Sequence, residues 1–176
     1  DYNSTKNQID NMKNILKKSN INFEILNLEL DKFSNQIKKI NEENKEVTLN
    51  QKSNMSNIHQ SLLISKKNSE DLIYFVEDDY IHKTEALSEM LFAYEKFSSI
   101  LESEIFILSS DYPYLYKKMN RSSILIGENI HWRTVKESLL TFMTSKKMIE
   151  KYFEKLIDMA TNQNNPFEKN LHEIYE

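Results

Sequence analysis

The stretch Leu72-Ile73-Tyr74-Phe75-Val76 is an unbroken apolar run, and Glu77-Asp78-Asp79 follows it at once. A short apolar run bounded by charged residues is typical of a central β-strand that is covered on both faces. The three acids mark the point where this strand stops. A strand of this kind needs helices on both sides of its sheet, so the run predicts a layered α/β fold.

The segments around this run alternate between two hydrophobic periods. Helical spacing of apolar residues predicts helices over 4–18, 58–67, 85–101 and 146–160, and a period of two or a short apolar run predicts strands over 21–28, 104–108 and 124–126. This alternation favours a mostly parallel sheet flanked by helices. Ligands of such sheets bind at the carboxyl ends of the strands, which here is the acidic segment 77–79.

Composition sets the broad class of the chain. Its 176 residues are enough for one domain, and the absence of cysteine excludes disulfides and cysteine zinc sites. No apolar run is long enough to span a membrane, and the first residues do not have the pattern of a signal peptide, so we expect a cytoplasmic protein. A formal net charge of −4 argues against nucleic acid as a partner.

The acidic segment itself suggests a metal site. Three consecutive carboxylates repel one another, by about 1 kcal/mol for each pair at 4 Å even at the dielectric of water. A hard divalent cation such as Mn²⁺ or Mg²⁺ relieves this repulsion and completes its coordination with substrate phosphates. The alternative is a solvated acidic turn that leads into the helix capped by Thr84.

Four segments in the same order carry a resemblance to a known family. The run from Asp71 to His82 resembles the metal-binding segment of family 2-like bacterial glycosyltransferases of the GT-A fold, in the form VEDDY(L/I)H. Residues 1–5 are similar to the motif D-D-x-S-T of that group, residues 110–116 to Y-D-H-P-x-x-Y, and residues 130–142 to HWRTxxSTTxTF. The resemblance covers nearly the whole chain, and the order of the motifs is more specific than any one of them.

The resemblance implies a single GT-A-like domain over 1–176 that lacks its first strand, and therefore an N-terminally truncated one. It also implies a nucleotide-sugar donor, a hydroxyl acceptor on a sugar or glycoconjugate, and Mn²⁺ or Mg²⁺ as cofactor. Departures from the motifs fall at Tyr2, Tyr112 and the pair Leu139-Leu140. They affect the expected acceptor contacts more than the expected metal site.

Individual roles are carried over by the same resemblance. Asp79 is expected to ligate the metal, with Glu77 as a second ligand and with Glu77 and Asp78 also able to reach the nucleotide. The remaining candidates for binding the nucleotide-sugar are Asp1, Asn54 or Asn57, His131, Trp132 and Arg133. Helix capping is the alternative for the two asparagines, core packing for the tryptophan and a surface ion pair for the arginine.

An inverting transfer needs a carboxylate that takes the proton of the acceptor hydroxyl. In the family this acid commonly lies before the final helix, a position that Glu168 occupies here. Asp111 and Glu173 are the reserves for this role. A plain surface glutamate is the alternative for Glu168.

Two other classes of function remain open. A nucleotidyltransferase would also use carboxylates at a strand end together with a divalent ion. A non-catalytic acidic α/β binding module would instead bind a partner through a helix such as 146–160, and it predicts no metal-dependent nucleotide binding.

Overall fold

The computed structural model describes residues 6–117, 119 and 121–176. Its elements, in chain order, are α1 (Lys6–Lys18), α2 (Leu30–Ser34), α3 (Leu49–Asn68), β1 (Leu72–Phe75), α4 (Ala86–Leu101), β2 (Phe106–Leu108), a 3₁₀ helix (Pro113–Lys117), β3 (Ile124–Ile126), β4 (His131–Arg133), β5 (Phe142–Ser145), α5 (Lys146–Lys151), α6 (Phe153–Thr161) and α7 (Lys169–Tyr175). The chain is therefore of mixed α/β class, as the alternating periods predict.

The described strands form two small sheets. One has the order β1-β5-β2 and the other is the hairpin β3-β4. Every strand pairing in the described residues is antiparallel. The mostly parallel sheet therefore stays a prediction, although β1 and β2 do run parallel to each other on either side of β5.

The central strand is β5 and not β1. All four residues of β5 are buried, whereas those of β1 are only half-buried at one edge of the described sheet. The prediction that β1 is covered on both faces is confirmed, since Ile73 and Phe75 pack against one hydrophobic cluster and Leu72 and Tyr74 against another. Its predicted central position is wrong, because an apolar run does not report how many strands pair with it. The sequence does not predict β5 because two of its four residues, Thr144 and Ser145, are polar. Both can be buried because the Thr144 hydroxyl donates to the Ile105 carbonyl at 2.8 Å and the Ser145 hydroxyl caps α5.

Alternate residues of β5 build the two faces of the sheet. Phe142 packs among Leu62 of α3, Ile149 of α5 and Leu156 of α6, together with Leu171 of α7. Met143 points the other way, into a cluster with Met90, Ala93, Tyr94 and Phe97 of α4. The sheet thus lies between α4 and a layer of four helices, and both layers bury apolar area that stabilises it.

The predicted strand at 21–28 is wrong. Residues 21–29 have no regular secondary structure, and Ile21, Phe23 and Leu26 are exposed. The segment is held by the side chain of Gln60, which accepts from the Glu29 amide at 2.9 Å and donates to the Asn27 carbonyl at 3.0 Å. Alternating residues form a strand only where a neighbouring strand takes up the backbone hydrogen bonds, and no such neighbour lies in the described residues.

Helix boundaries also differ from those predicted. α3 begins earlier, at Leu49, because Thr48 forms a capping box with Gln51. The predicted helix 146–160 is interrupted at Tyr152, which separates α5 from α6. Ser145 caps the start of α5, since its hydroxyl accepts from the Met148 amide at 3.3 Å.

Candidate functional site

Strand register brings two distant segments to the same end of the sheet. Phe142 of β5 is paired with Phe75 on one side and with Leu108 on the other. The segments that follow β1 and β2 therefore emerge side by side. The first carries the acids 77–79, and its Glu77 amide donates to the Thr141 hydroxyl at 3.2 Å.

Two tyrosines join these segments. The hydroxyls of Tyr80 and Tyr112 lie 2.6 Å apart, and the Tyr112 ring stacks on Tyr114 with 5.9 Å between ring centroids. Burial raises the pKa of Tyr112, and its hydrogen bond to Tyr80 and the negative charge of Glu77 raise it further. Tyr112 therefore stays a neutral phenol beside the acids.

The loop after the acids has a second anchor. Tyr74 of β1 hydrogen-bonds through its hydroxyl to Nε2 of His82, and the two rings meet edge to face at 5.6 Å. Together with Tyr80, this contact fixes both the middle and the end of the loop between β1 and α4.

Glu168 reaches the acidic segment from the far end of the chain. Burial raises the pKa of Glu77, and the charges of Asp79, Glu168 and Asp78 raise it further, while a hydrogen bond with Thr141 opposes them. Glu168 immediately precedes α7, whose position is set by the buried Leu171. Glu77, one of the predicted metal ligands, is therefore within electrostatic range of the predicted base Glu168, although the two are 91 residues apart in sequence.

These carboxylates have no positive partner in the described part of the chain. Glu77 and Glu168 are half-buried, Asp78 and Asp79 are exposed, and none of the four forms an ion pair with a described lysine, arginine or histidine. No group of three or more described His, Asp or Glu side chains is arranged to hold a metal ion. The oxygen donors suit Mg²⁺ or Mn²⁺, which commonly take only one or two carboxylates and complete their shell with phosphate and water.

Asp111, the first reserve for the base, is engaged elsewhere. Arg133 donates to it in a fork, from Nε to Oδ2 at 2.8 Å and from Nη2 to Oδ1 at 2.5 Å, and Tyr116 also donates to Oδ2. These hydrogen bonds, led by that from Arg133, hold the pKa of Asp111 below its usual value. A carboxylate stabilised in this way is a poor proton acceptor. Glu173, the second reserve, pairs with Lys155 at 3.3 Å.

Arg133 is in turn fixed on both sides. Its guanidinium carbon lies 4.5 Å from the centre of the Tyr116 ring, a cation–π contact. Its side chain keeps 21% of its surface exposed. The surface ion pair weighed as the alternative for Arg133 is present in this structure.

Sequence reasoning missed Glu89, a buried carboxylate on α4. It accepts from the amides of Glu128 and Asn129 at 3.0 and 2.9 Å and from the indole N–H of Trp132 at 3.0 Å. The Asn129 side chain adds a contact at 3.3 Å. Burial tends to raise the pKa of Glu89, but the hydrogen bonds from Trp132, Asn129 and Glu128 outweigh it and leave the pKa lowered.

The only glycine of the chain is part of this arrangement. A Cβ at Gly127 would lie 2.1 Å from Oε1 of Glu89 and 2.6 Å from Nε1 of Trp132. In the sequence, the one glycine, Gly127, lies five residues before the one tryptophan, Trp132. This proximity was the available indication of a tightly packed turn.

Trp132 and His131 have different surroundings on β4. The Trp132 indole packs into the α4 cluster, edge to face with Phe97 at 6.4 Å. This placement favours the core-packing alternative for Trp132. His131 is exposed on the outer face of the hairpin.

The last three predicted residues are not brought to the acidic end by any described contact. Asn54 and Asn57 lie within α3 with exposed side chains, and since α3 begins at Leu49 they do not cap it. Asp1 lies outside the described residues. Two shallow surface depressions, lined by residues around 98–104 and 28–32, contain none of the predicted site residues.

Comparison with known proteins gives no match: no family model, no curated protein and no solved structure is significantly similar to the chain. No helix in the described residues is both long and apolar enough to cross a membrane.

Proposed function

We propose that the chain is a metal-dependent glycosyltransferase domain that moves a sugar from a nucleotide-diphosphate donor to a hydroxyl acceptor. The observation that carries the proposal is that the charges of Asp79, Glu168 and Asp78 all raise the pKa of Glu77, while none of these acids forms an ion pair among the described residues. Several neighbouring carboxylates without positive partners lower the stability of the folded chain. A cation that binds between them explains why a protein would keep such a cluster. The ordered resemblance of four sequence segments supplies the reaction class.

In this proposal Asp79 and Glu77 hold Mg²⁺ or Mn²⁺. When bound, the ion supplies a positive charge that stabilises the leaving nucleoside diphosphate. Asp78 and His131 are exposed to solvent, and the proposal assigns both to binding the ribose or the phosphates. Arg133 binds phosphate oxygens through the same fork that now holds Asp111.

Glu168 is the proposed base. It accepts the proton of the acceptor hydroxyl while the hydroxyl oxygen forms its bond to the anomeric carbon and the bond to the diphosphate breaks. A carboxylate that is half-buried beside other acids and carries no ion pair is available for this transfer. The reaction is then a single inverting displacement.

The parallel sheet belongs to the same proposal. β1 has no strand partner on its outer edge in the described residues. We infer that this outer edge of β1 is where a parallel strand would pair in a GT-A-like sheet.

The test is calorimetric titration of UDP, GDP, CMP and dTDP with and without Mg²⁺ or Mn²⁺. We expect one nucleotide to bind only with the metal, and Asp79→Asn to abolish that binding. Asp71→Asn is the matched control, because Asp71 is an exposed aspartate at the opposite end of β1. Binding that is indifferent to both the metal and Asp79→Asn would contradict the proposal.

Catalysis needs its own measurement. With the matching nucleotide-sugar, Glu168→Gln is expected to lower transfer at least about 100-fold while nucleotide affinity stays within about twofold. Release of a nucleoside diphosphate supports glycosyl transfer, whereas release of pyrophosphate would identify a nucleotidyltransferase instead.

A further inference from the structure

We propose that Thr141 is a positioning residue whose hydroxyl orients the Glu77 carboxylate for the divalent cation. This role rests on the proposed function, which leaves Thr141 unassigned. The observation that points to it is a buried hydroxyl that contacts Glu77 from a segment 64 residues further along the chain.

The Thr141 hydroxyl contacts two groups of the same residue. It accepts a hydrogen bond from the Glu77 amide at 3.2 Å, and it also hydrogen-bonds to the Glu77 side chain. A threonine hydroxyl donates one hydrogen and accepts at its lone pairs, so both contacts form together. The amide contact holds the backbone of Glu77, and the side-chain contact restricts the direction of its carboxylate.

Thr141 is itself held from both directions along the chain. Only 1% of its surface is exposed, and the residue that follows it, Phe142, is paired with a strand on each side. Three residues before it, the buried Ser138 has its hydroxyl 2.8 Å from that of Tyr175 in α7. A hydroxyl held by a strand and a helix can orient a neighbouring carboxylate more precisely than one on a free loop.

The neutrality of this donor suits a carboxylate that binds a cation. Asp111 is held by the positive charge of Arg133, with which a metal ion would have to compete. Thr141 supplies one hydrogen and no charge, and an ionised carboxylate has about four lone-pair sites, so Glu77 keeps most of its capacity for a cation. Hydrogen bonds that orient a ligating carboxylate typically contribute about 10- to 100-fold in metal affinity.

The experiment is calorimetric titration of Mn²⁺ into the metal-free protein, first alone and then with the nucleotide that the earlier titration selects. We expect Thr141→Val, which keeps a similar shape but removes the hydroxyl, to weaken Mn²⁺ binding about tenfold, and Thr141→Ser to stay within about twofold of the wild type. Thr141→Ala removes the same hydroxyl and takes the place of the valine variant if that variant does not fold.

Thr144→Val is the matched control. Thr144 is an equally buried threonine of β5, but its hydroxyl donates to the Ile105 carbonyl at 2.8 Å and not to an acid. Its loss should lower the stability of the fold and leave the affinity for Mn²⁺ unchanged.

Failure of the positioning role is distinguishable from failure of the proposed function. If the wild type and the variants without the Thr141 hydroxyl bind Mn²⁺ equally well, the role is overturned and the glycosyltransferase proposal stands. A weakening that Thr144→Val shares, or that Thr141→Ser does not reverse, would also overturn the role, because lost stability would then explain it. A wild type that binds no Mn²⁺ in either titration would reject the proposed function and this role with it.

Discussion

Glu89 and Glu77 are two glutamates shielded from water whose pKa values shift in opposite directions. Glu89 is buried at 5% exposure and accepts hydrogen bonds from two backbone amides and from the Trp132 indole, so its pKa is lowered. Glu77 is half-buried among other acids, and its pKa is raised. The fold supplies the Glu89 carboxylate with several hydrogen-bond donors, whereas Glu77 has the Thr141 hydroxyl and no ion pair among the described residues.

This difference separates a structural acid from a candidate functional one. Hydrogen bonds to a buried anion stabilise the folded chain when every donor is in place. Like charges left together destabilise it, and proteins keep such arrangements mainly where a ligand supplies the missing charge. The comparison therefore predicts opposite effects for the same substitution at the two positions.

The largest effect is expected for Glu89→Gln. The new amide places N–H groups against N–H donors, which we expect to lower the free energy of unfolding by about 3 kcal/mol at pH 7. Urea denaturation measures it, with Glu95→Gln on the exposed face of α4 as control. A change no larger than that of the control would mean that the Glu89 contacts contribute nothing.

The pH dependence of that loss follows from the lowered pKa. Because the folded value lies below the ordinary 4.5, the ionised group contributes stability above that pH. The contribution disappears as the pH falls through the folded value. The gap between wild type and Glu89→Gln should therefore narrow below about pH 4.5, which denaturation at several pH values checks.

Gly127→Ala should disturb the same hydrogen bonds of Glu89 through a steric clash. Its Cβ would collide with the Glu89 carboxylate and the Trp132 indole, neither of which can move without losing hydrogen bonds. We expect a loss of about 2 kcal/mol in stability and a shift in tryptophan fluorescence. Glu128→Ala, at the exposed next position, is the control, and an equal response from both variants would refute the packing argument.

Glu77→Gln is expected to stabilise the metal-free protein, by up to about 1 kcal/mol at pH 7. The raised pKa means that the ionised group costs stability at neutral pH, and that this cost fades as the pH falls through the folded value towards 4.5. Thermal unfolding at pH 7 and pH 4.5 measures both limits. Destabilisation at pH 7 would show that Glu77 has a stabilising partner after all.

The smallest effect is expected for Arg133→Lys. It replaces the two-bond fork to Asp111 by a single contact, and since both side chains are partly exposed the cost should stay below about 1 kcal/mol. Urea denaturation of Arg133→Lys measures this cost. Arg121→Lys, which makes the same substitution at an exposed arginine, is the control, and the difference between the two variants gives the contribution of the fork. If Arg133→Lys lowered the free energy of unfolding by well over about 1 kcal/mol, the Arg133–Asp111 ion pair would contribute as much to stability as a buried contact does.

Local patterns predicted local elements well. Helices at α3, α4 and α5–α6 and strands at β1, β2 and β3 follow from the spacing of apolar residues, because that spacing reports which face of an element is buried. The same reasoning failed at 21–28, where alternation found no strand partner. It also missed the central position of β5, whose buried Thr144 and Ser145 are satisfied by contacts remote in sequence.

The candidate site divides in the same way. By itself the sequence determined the class of the fold, the acidic end of β1 and the carboxylate chemistry of its residues, since each depends on neighbours along the chain. Only the tertiary structure decided that Glu168 lies near Glu77, that Asp111 is held by Arg133 and that Glu89 is buried beneath Trp132. The two residues of each pair are 22 to 91 positions apart, and their proximity depends on strand register and helix packing, which no local sequence pattern contains.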